Sequence, residues 1–269
     1  MGNPKQSGSG FSNRKTATYQ EPLNLGNTLA IKLISIDPER IANFKKRNPH
    51  IRIDDEKLGA KEERLSPSEI EMIASTEIAE AAKRFKGSIG NAHSIFWELQ
   101  ECAGQEKNYL ILEDDVTIHP HAIEFLEENW EKISAADFLA LGANTDAPIT
   151  FEPICGMRFS GVFLRAIDQH PSYSRIEGIL RTYSHAEVSI YRLHKMFGTC
   201  AFMVSPSGAR KLLNKAFPLD STPIDIPLLP HRLIGISFDR RINAILETID
   251  AKICIPFLAI TPNDAKSQR

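Results

Sequence analysis

Three consecutive acids, Glu113, Asp114 and Asp115, are the residues whose type and spacing most directly suggest chemistry. They follow the apolar run at residues 109–112, which is typical of a buried strand. Adjacent carboxylates repel one another, so a cation among them makes their ionised state easier to hold. Mg²⁺ and Mn²⁺ prefer carboxylate oxygens and keep open positions for phosphate. The pattern predicts a metal and diphosphate site at a strand end, where open α/β sheets bind ligands; the alternative is an acidic turn that caps the next helix or faces solvent.

The elements before the acids alternate between strands and helices. An isoleucine-rich run at residues 29–36 predicts the first strand, and Asp37 and Pro38 predict the capped start of a helix. The charged residues 54–64 indicate a surface connection. Ser66 and Glu69 form a capping box around Pro67, so a helix is predicted from there to about residue 85.

A second helix is predicted after Gly87, and its apolar face is formed by Ile89, Ala92, Phe96, Leu99 and Cys102. Another amphipathic helix follows Pro120, and residues 137–142 predict the next strand. This alternation predicts an α/β fold with a largely parallel sheet and crossover helices. The second half is less regular, and its predicted elements are a hairpin around 158–163, a strand at 197–204, helices at 209–217 and around 241–249, and a strand at 253–260.

The composition excludes several classes of protein. The 269 residues carry a net charge of -2, without the basic excess of a nucleic-acid binder. Cys102, Cys155, Cys200 and Cys254 lie far apart among apolar neighbours, so we expect small buried side chains in a reducing compartment rather than a zinc or redox site. No run approaches the roughly 20 apolar residues of a membrane span. We expect a cytoplasmic protein with an unstructured leader at residues 1–24.

Short segments along residues 29–260 match the pattern of one enzyme family, in the family's order. They are Ile34 to Asp37 with Arg40, Gly87 to Gly90 with His93 and Trp97, Leu112 to Val116, Gly198 to Phe202 with Ser205, Gly208 and Ala209, and Pro223 to Asp225. In these segments the sequence resembles glycosyltransferase family 25, the bacterial lipopolysaccharide galactosyltransferases and their collagen-modifying relatives. The sequence departs from the pattern at Ser35, Ala92 and Cys200, where the family has Asn, Ser and His.

The resemblance implies a GT-A-like fold, with a mostly parallel Rossmann-type sheet in one domain over residues 25–269. Residues 25–144 would form the nucleotide-sugar half and residues 145–269 the acceptor half. It further implies a UDP-sugar donor, with UDP-galactose as the first candidate, and Mn²⁺ or Mg²⁺ as the cofactor. The implied reaction is an inverting transfer to a saccharide hydroxyl in lipopolysaccharide or other surface glycan synthesis. Peripheral contact with the inner membrane through a lipid-linked acceptor stays open, as does the oligomeric state.

The resemblance also implies roles for single residues. Asp115 with Glu113 would hold the metal, and the donor-binding set would be Ser35, Arg40, His93, Glu113, Asp114 and Thr199. Asp225 is the candidate base for the acceptor hydroxyl, and a helix cap before Ile226-Pro227 is an equal alternative. The alternative to donor binding is a structural role for His93 and a solvated side chain for Arg40. Trp97 is expected to pack in the core.

Two other functions are considered. The changes at Ala92 and Cys200 would suit a catalytically impaired nucleotide-sugar-binding protein of the same fold. A phosphohydrolase built on an acidic strand end ranks below transfer, because the sequence contains none of the HxD, HExxH, GxSxG or P-loop motifs.

Overall fold

The computed structural model describes residues 25–59, 61–85, 87–163 and 171–262, so the predicted leader at residues 1–24 lies outside the described residues. The described strands are β1 (Leu29–Ser35), β2 (Asp55–Leu58), β3 (Asn108–Glu113), β4 (Thr117–Ile118), β5 (Phe138–Ala140), β6 (Pro148–Ile154), β7 (Met157–Val162), β8 (Ser189–Lys195), β9 (Ala201–Val204), β10 (Ala251–Ile255) and β11 (Ala259–Ile260). The described α-helices are α1 (Pro38–Arg47), α2 (Pro67–Ile73), α3 (Thr76–Ala82), α4 (Ser88–Ala103), α5 (Ala122–Glu128), α6 (Trp130–Ile133), α7 (Tyr173–Leu180), α8 (Pro206–Ala216) and α9 (Phe238–Arg241).

A central sheet organises the described part of the chain. Its nine strands follow the order β2-β1-β3-β9-β5-β10-β8-β6-β7, and β4 and β11 form a separate two-stranded sheet. Strands β1, β2 and β3 are mutually parallel, as are β5 and β10. Strand β9 is antiparallel to both of its neighbours, β3 and β5. The sheet is therefore mixed, and the predicted parallel arrangement holds only within these two groups of strands.

Helices cover both faces of the sheet, because the central strands are apolar on both sides. Alternate residues of β3 enter different cores: Ile111 packs with α2, α3, α4 and α8, whereas Leu110 and Leu112 pack with α1 and α5. Fully buried strands with apolar residues on both faces are typical of three-layer α/β proteins. The described chain is accordingly a mixed α/β protein with helices on each side of one sheet.

Several predicted helices begin where the sequence indicated. Asp37 caps α1 by accepting the Glu39 N–H at 2.8 Å, and Ser66 and Glu69 form the predicted capping box of α2. The helix predicted from Ser66 to about residue 85 is two helices, because Ser75 caps a new start and accepts the Ile78 N–H. Gly87 adopts a φ of 86° before α4, and this left-handed conformation favours glycine.

Five other expectations need correction. Residues 55–58 of the predicted surface connection form the edge strand β2. The helix predicted around 241–249 is instead α9 followed by 3₁₀ turns, and the strand predicted at 253–260 divides at Pro256 into β10 and β11. Cys155 is exposed in the β6–β7 hairpin, whereas the other three cysteines are buried. Trp97 is 38% exposed, so it is not a core residue.

Candidate functional site

The acids lie at the carboxyl end of β3, between the end of β1 and the beginning of β9. In the strand register Glu113 lies opposite Ile34 of β1, and Leu112 lies opposite Ala201 of β9. The Glu113 N–H donates to the Cys200 carbonyl at 2.8 Å. This pairing brings Ser35, the acids and the segment before β9 to one edge of the sheet, as the sequence predicted for the acids.

Glu113 has an environment that opposes its ionisation. Its side chain accepts a hydrogen bond from the Asn91 amide of α4 at 3.0 Å. Burial raises the pKa of Glu113, and the negative charges of Asp115, Asp114 and Asp239 raise it further, whereas the Asn91 hydrogen bond lowers it. A cation beside Glu113 and Asp115 would offset the repulsion between these carboxylates and favour their ionised state.

The Asp114 carboxylate is nearly buried and is engaged by neighbouring side chains. It is 5% exposed, accepts a hydrogen bond from the Ser35 hydroxyl and forms an ion pair with Arg40. These contacts join the end of β1 and the first turns of α1 to the end of β3. The structure thus brings three of the predicted donor-binding residues together, with Asp114 as the link between the other two.

Arg47 supports the turn that contains the acids. Its guanidinium donates to the carbonyl oxygens of Asp114 and Val116 at 2.6 and 3.1 Å. It also stacks on Tyr173 of α7, 4.0 Å from the ring centroid. Burial lowers the pKa of Arg47, while the nearby charges of Asp114 and Asp115 raise it. Such a planar cation holds two carbonyls and an aromatic face at once, which a lysine cannot do.

A cavity of ≈ 550 Å³ opens on the α1 side of the acids. The residues that line it are Arg40, Asn43, Lys46, Arg47, Asp114 and Tyr173. Three of them are cations and one is an aromatic ring. Such a lining suits an anionic ligand that also has a flat ring.

Thr199 lies in the segment that leads into β9. It is buried, and it immediately precedes Cys200, whose carbonyl accepts the Glu113 N–H. Gly198 has a φ of +80°, and a Cβ at this position would lie 2.2 Å from the Asn144 side-chain oxygen. Glycine is needed here for both reasons, and it allows Thr199 to lie beside the acids.

Two predicted residues lie away from the acids. His93 accepts the Trp97 indole N–H at 3.0 Å and is 3.8 Å from Glu69 of α2. It lies two residues from Asn91, or about 200° around α4, so it faces a different direction from the residue that contacts Glu113. Burial also lowers the pKa of His93. These contacts match the structural alternative for His93.

Asp225 lies on an exposed loop, and its carboxylate is 73% exposed and pairs with Arg232 at 2.8 Å. No helix begins after it, because residues 226–229 form a turn in which the Leu229 N–H donates to the Ile226 carbonyl. The helix-cap alternative is therefore wrong.

The residues present fit a divalent cation only in part. Among the described residues, the three acids do not converge as a set of three ligand atoms around one point. Asp114 is already engaged with Ser35 and Arg40, whereas Glu113 and Asp115 lie close enough for one charge to raise the pKa of the other. Two carboxylates leave most positions of a Mg²⁺ or Mn²⁺ ion for phosphate oxygens and water, as is usual for these ions.

Sequence reasoning did not identify four residues of this site. Asn91 follows the Gly87–Gly90 motif directly, so its position could have suggested it. Arg47 has the sequence appearance of an ordinary basic residue in the last turn of a helix, and Tyr173 lies in a stretch without a regular pattern. Asp239 acts on Glu113 only through the fold, because the two residues are 126 positions apart in the chain (239 − 113).

The fold and the site together describe a mixed α/β protein with a cavity beside Asp114, near the carboxyl ends of β1 and β3. The family model described as glycosyltransferase family 25 (LPS biosynthesis protein) matches residues 42–227, so the chain belongs to glycosyltransferase family 25. The match includes the acids, Thr199 and Asp225; Ser35 and Arg40 lie before it. A comparison with curated proteins finds no match.

Proposed function

We propose that this protein transfers a sugar from a UDP-sugar to a saccharide hydroxyl in lipopolysaccharide or other surface glycan synthesis. Galactose is the first sugar that we propose for the donor. Membership in the family supports the transferase activity and its connection with lipopolysaccharide. The observation that carries the donor proposal is a cavity lined by Arg40, Lys46 and Arg47 together with Asp114, the residue between Glu113 and Asp115 in the chain. A nucleoside diphosphate would use both the cations and the aromatic ring of Tyr173.

The proposed metal is Mn²⁺ or Mg²⁺, held by Asp115 and Glu113. When bound, it would neutralise the negative charge of the departing diphosphate. Asp114 would position this pair through Ser35 and Arg40, and Arg47 would fix the turn through two backbone carbonyls. We propose a GT-A-like arrangement in which residues 25–144 bind the nucleotide-sugar and residues 145–269 the acceptor, with Tyr173 of the second half also lining the donor cavity.

An inverting transfer also needs a base that takes the proton of the acceptor hydroxyl. Asp225 is the candidate from the family pattern, and its free exposure to solvent would let an acceptor approach it. Asp239 is the second candidate, because its charge already acts on Glu113. Turnover of Asp225→Asn and Asp239→Asn, measured at saturating donor, separates them: the variant with the larger fall in kcat identifies the base.

Calorimetry with UDP-sugars tests the donor proposal. We expect binding of one UDP-sugar that depends on Mn²⁺ and is lost in Asp115→Ala. The control Glu131→Gln, which alters an exposed carboxylate on α6, should bind as the wild type does. The proposal fails if no UDP-sugar binds, or if Asp115→Ala binds with unchanged affinity and metal dependence.

A catalytically impaired sugar-nucleotide binder is the second candidate, because the residue beside Glu113 is Cys200 rather than the family's His. Burial raises the pKa of Cys200, and the charges of Glu113 and Asp115 raise it further, so its thiol is a poor acid or base at neutral pH. Slow hydrolysis of the bound UDP-sugar in the presence of Mn²⁺ supports the transferase. Binding with no hydrolysis or transfer supports the impaired binder.

A further inference from the structure

A group of histidines and glutamates lies between α5 and the 3₁₀ helix His185–Glu187, apart from the acids of β3. Ligand atoms of His121, Glu124 and His185 all lie within 4.8 Å of one another. The His121 Nδ1 and a Glu124 carboxylate oxygen are 2.7 Å apart. The ring centroids of His121 and His185 are 5.3 Å apart. Neither the family pattern nor the proposed transfer uses these residues.

The chain positions these three side chains through short local elements. His121 immediately precedes α5 and makes no side-chain capping bond, and Glu124 lies one turn further along the same helix. His185 begins a 3₁₀ helix that is fixed by a capping box between Ser184 and Glu187. The ligand set therefore comes from two separate elements, each anchored independently of the three side chains.

Two neighbours complete the arrangement. A carboxylate oxygen of Glu128 lies 3.4 Å from the Nε2 of His185, where it can orient the ring by accepting its N–H. His119 is buried and fully used, because its Nδ1 accepts the His121 N–H and its Nε2 donates to the Tyr183 carbonyl, each at 3.1 Å. The His119 ring also stacks on Tyr183. His119 is thus a support for the group rather than a ligand.

We propose that His121, Glu124 and His185 bind a Zn²⁺ ion. Two imidazoles and one carboxylate are a typical three-residue zinc set, and water fills the fourth position. Tetrahedral ligands at zinc lie about 3.4 Å apart, so these side chains, of which His121 and Glu124 are exposed, need only small rotations to close around the ion. Imidazole favours Zn²⁺ over Mg²⁺ and Mn²⁺, so the site differs in selectivity from the two carboxylates at the end of β3.

The bound ion would connect α5 to the segment before β8. The backbone N–H of His119 donates to the Leu258 carbonyl at 2.8 Å. Strand β4 lies directly before His119 and begins two residues after Asp115. An ion at His121 would therefore stabilise the segment that follows the acids. Because binding to the folded state stabilises it, Zn²⁺ should raise the melting temperature.

Calorimetric titration with Zn²⁺ alone tests the site. The titration uses the full chain with Cys155→Ser, because the exposed Cys155 thiol could bind zinc itself. We expect one ion per chain, and the same stoichiometry when Asp115→Ala is added, since the donor acids are not involved. The variants His121→Ala and Glu124→Ala should each lower the Zn²⁺ affinity at least tenfold, and Glu128→Ala should lower it about tenfold.

Matched controls make the result decisive. Glu131→Ala removes an exposed glutamate near the same helix and should leave the affinity unchanged. Both His121 and Glu124 are exposed, so their variants should fold, and melting curves in chelator should coincide with that of the parent. Absence of Zn²⁺ binding in the parent, or equal affinity in His121→Ala and the parent, overturns the proposal.

Discussion

Replacing Asp114 should destabilise the protein, whereas replacing Asp115 should mainly affect ligand binding. Asp114→Asn keeps an acceptor for the Ser35 hydroxyl but removes the charge that pairs with Arg40. Asp115→Asn removes a charge that raises the pKa of Glu113, so it relieves repulsion. Of these two neighbouring acids, the Asp114 variant should therefore lose stability, whereas the Asp115 variant should mainly lose ligand binding.

The magnitude follows from the burial of the pair. Loss of one partner of a buried ion pair costs about 3–5 kcal/mol. Because the Arg40 side chain is 27% exposed and can be partly hydrated, we expect the lower end, about 3 kcal/mol. At roughly 2–4 °C per kcal/mol for a domain of this size, the melting temperature should fall by about 6–12 °C. Asp115→Asn should change the free energy of unfolding by less than about 1 kcal/mol.

Thermal and urea unfolding of both variants provide the measurement. Arg40→Ala should cost more than Asp114→Asn, because it leaves a carboxylate that is only 5% exposed without its partner. The double variant should cost less than the sum of the two single ones. If Asp114→Asn melts with the wild type while Asp115→Asn shows the large fall, the ion pair with Arg40 does not stabilise this part of the fold.

Three further predictions concern other positions. Burial raises the pKa of Glu98 above its ordinary value of 4.5, so the unfolded chain releases this proton at a lower pH than the folded protein does. The free energy of unfolding therefore falls as the pH rises above about 4.5. Glu98→Gln should reduce that fall in urea titrations between pH 4 and 8. Gly198→Ala should lower the free energy of unfolding by about 2–3 kcal/mol, because Gly198 has a φ of +80° and lies close to the Asn144 side-chain oxygen. Gly178 has open space around it, so Gly178→Ala should not destabilise the protein in the same urea assay. Arg47→Lys should lower the free energy of unfolding by about 1–2 kcal/mol, because an ammonium cannot hold the Asp114 and Val116 carbonyls together. The same variant should weaken UDP-sugar binding in calorimetry. Lys46→Ala should leave the free energy of unfolding unchanged.

Local signals in the sequence predicted much of the first half of the fold. The apolar run of β1, the Asp37 cap of α1 and the capping box of α2 each depend on neighbouring residues, so they can be recognised without the fold. The same is true of the apolar face of α4 and of the acids at the end of β3. These elements also fixed the edge of the sheet at which the acids lie.

Features that depend on distant contacts could not be predicted in this way. Strand β2 is short and mostly exposed, and only its pairing with β1 makes it a strand. The division of roles between Asp114 and Asp115 depends on Ser35 and Arg40, which approach only when β1 and β3 pair. Likewise, nothing near Asp225 in the sequence showed that a surface turn rather than a helix follows it.

The position of β9 constrains the order of events during synthesis. This strand lies between β3 and β5, yet it follows β5 by about sixty residues in the chain. Until residues 201–204 leave the ribosome, β3 and β5 have no partner between them and expose unpaired edges. A truncated chain that ends near residue 144 should therefore aggregate rather than fold, and chaperones should be needed most while the ribosome is completing the segment up to β9.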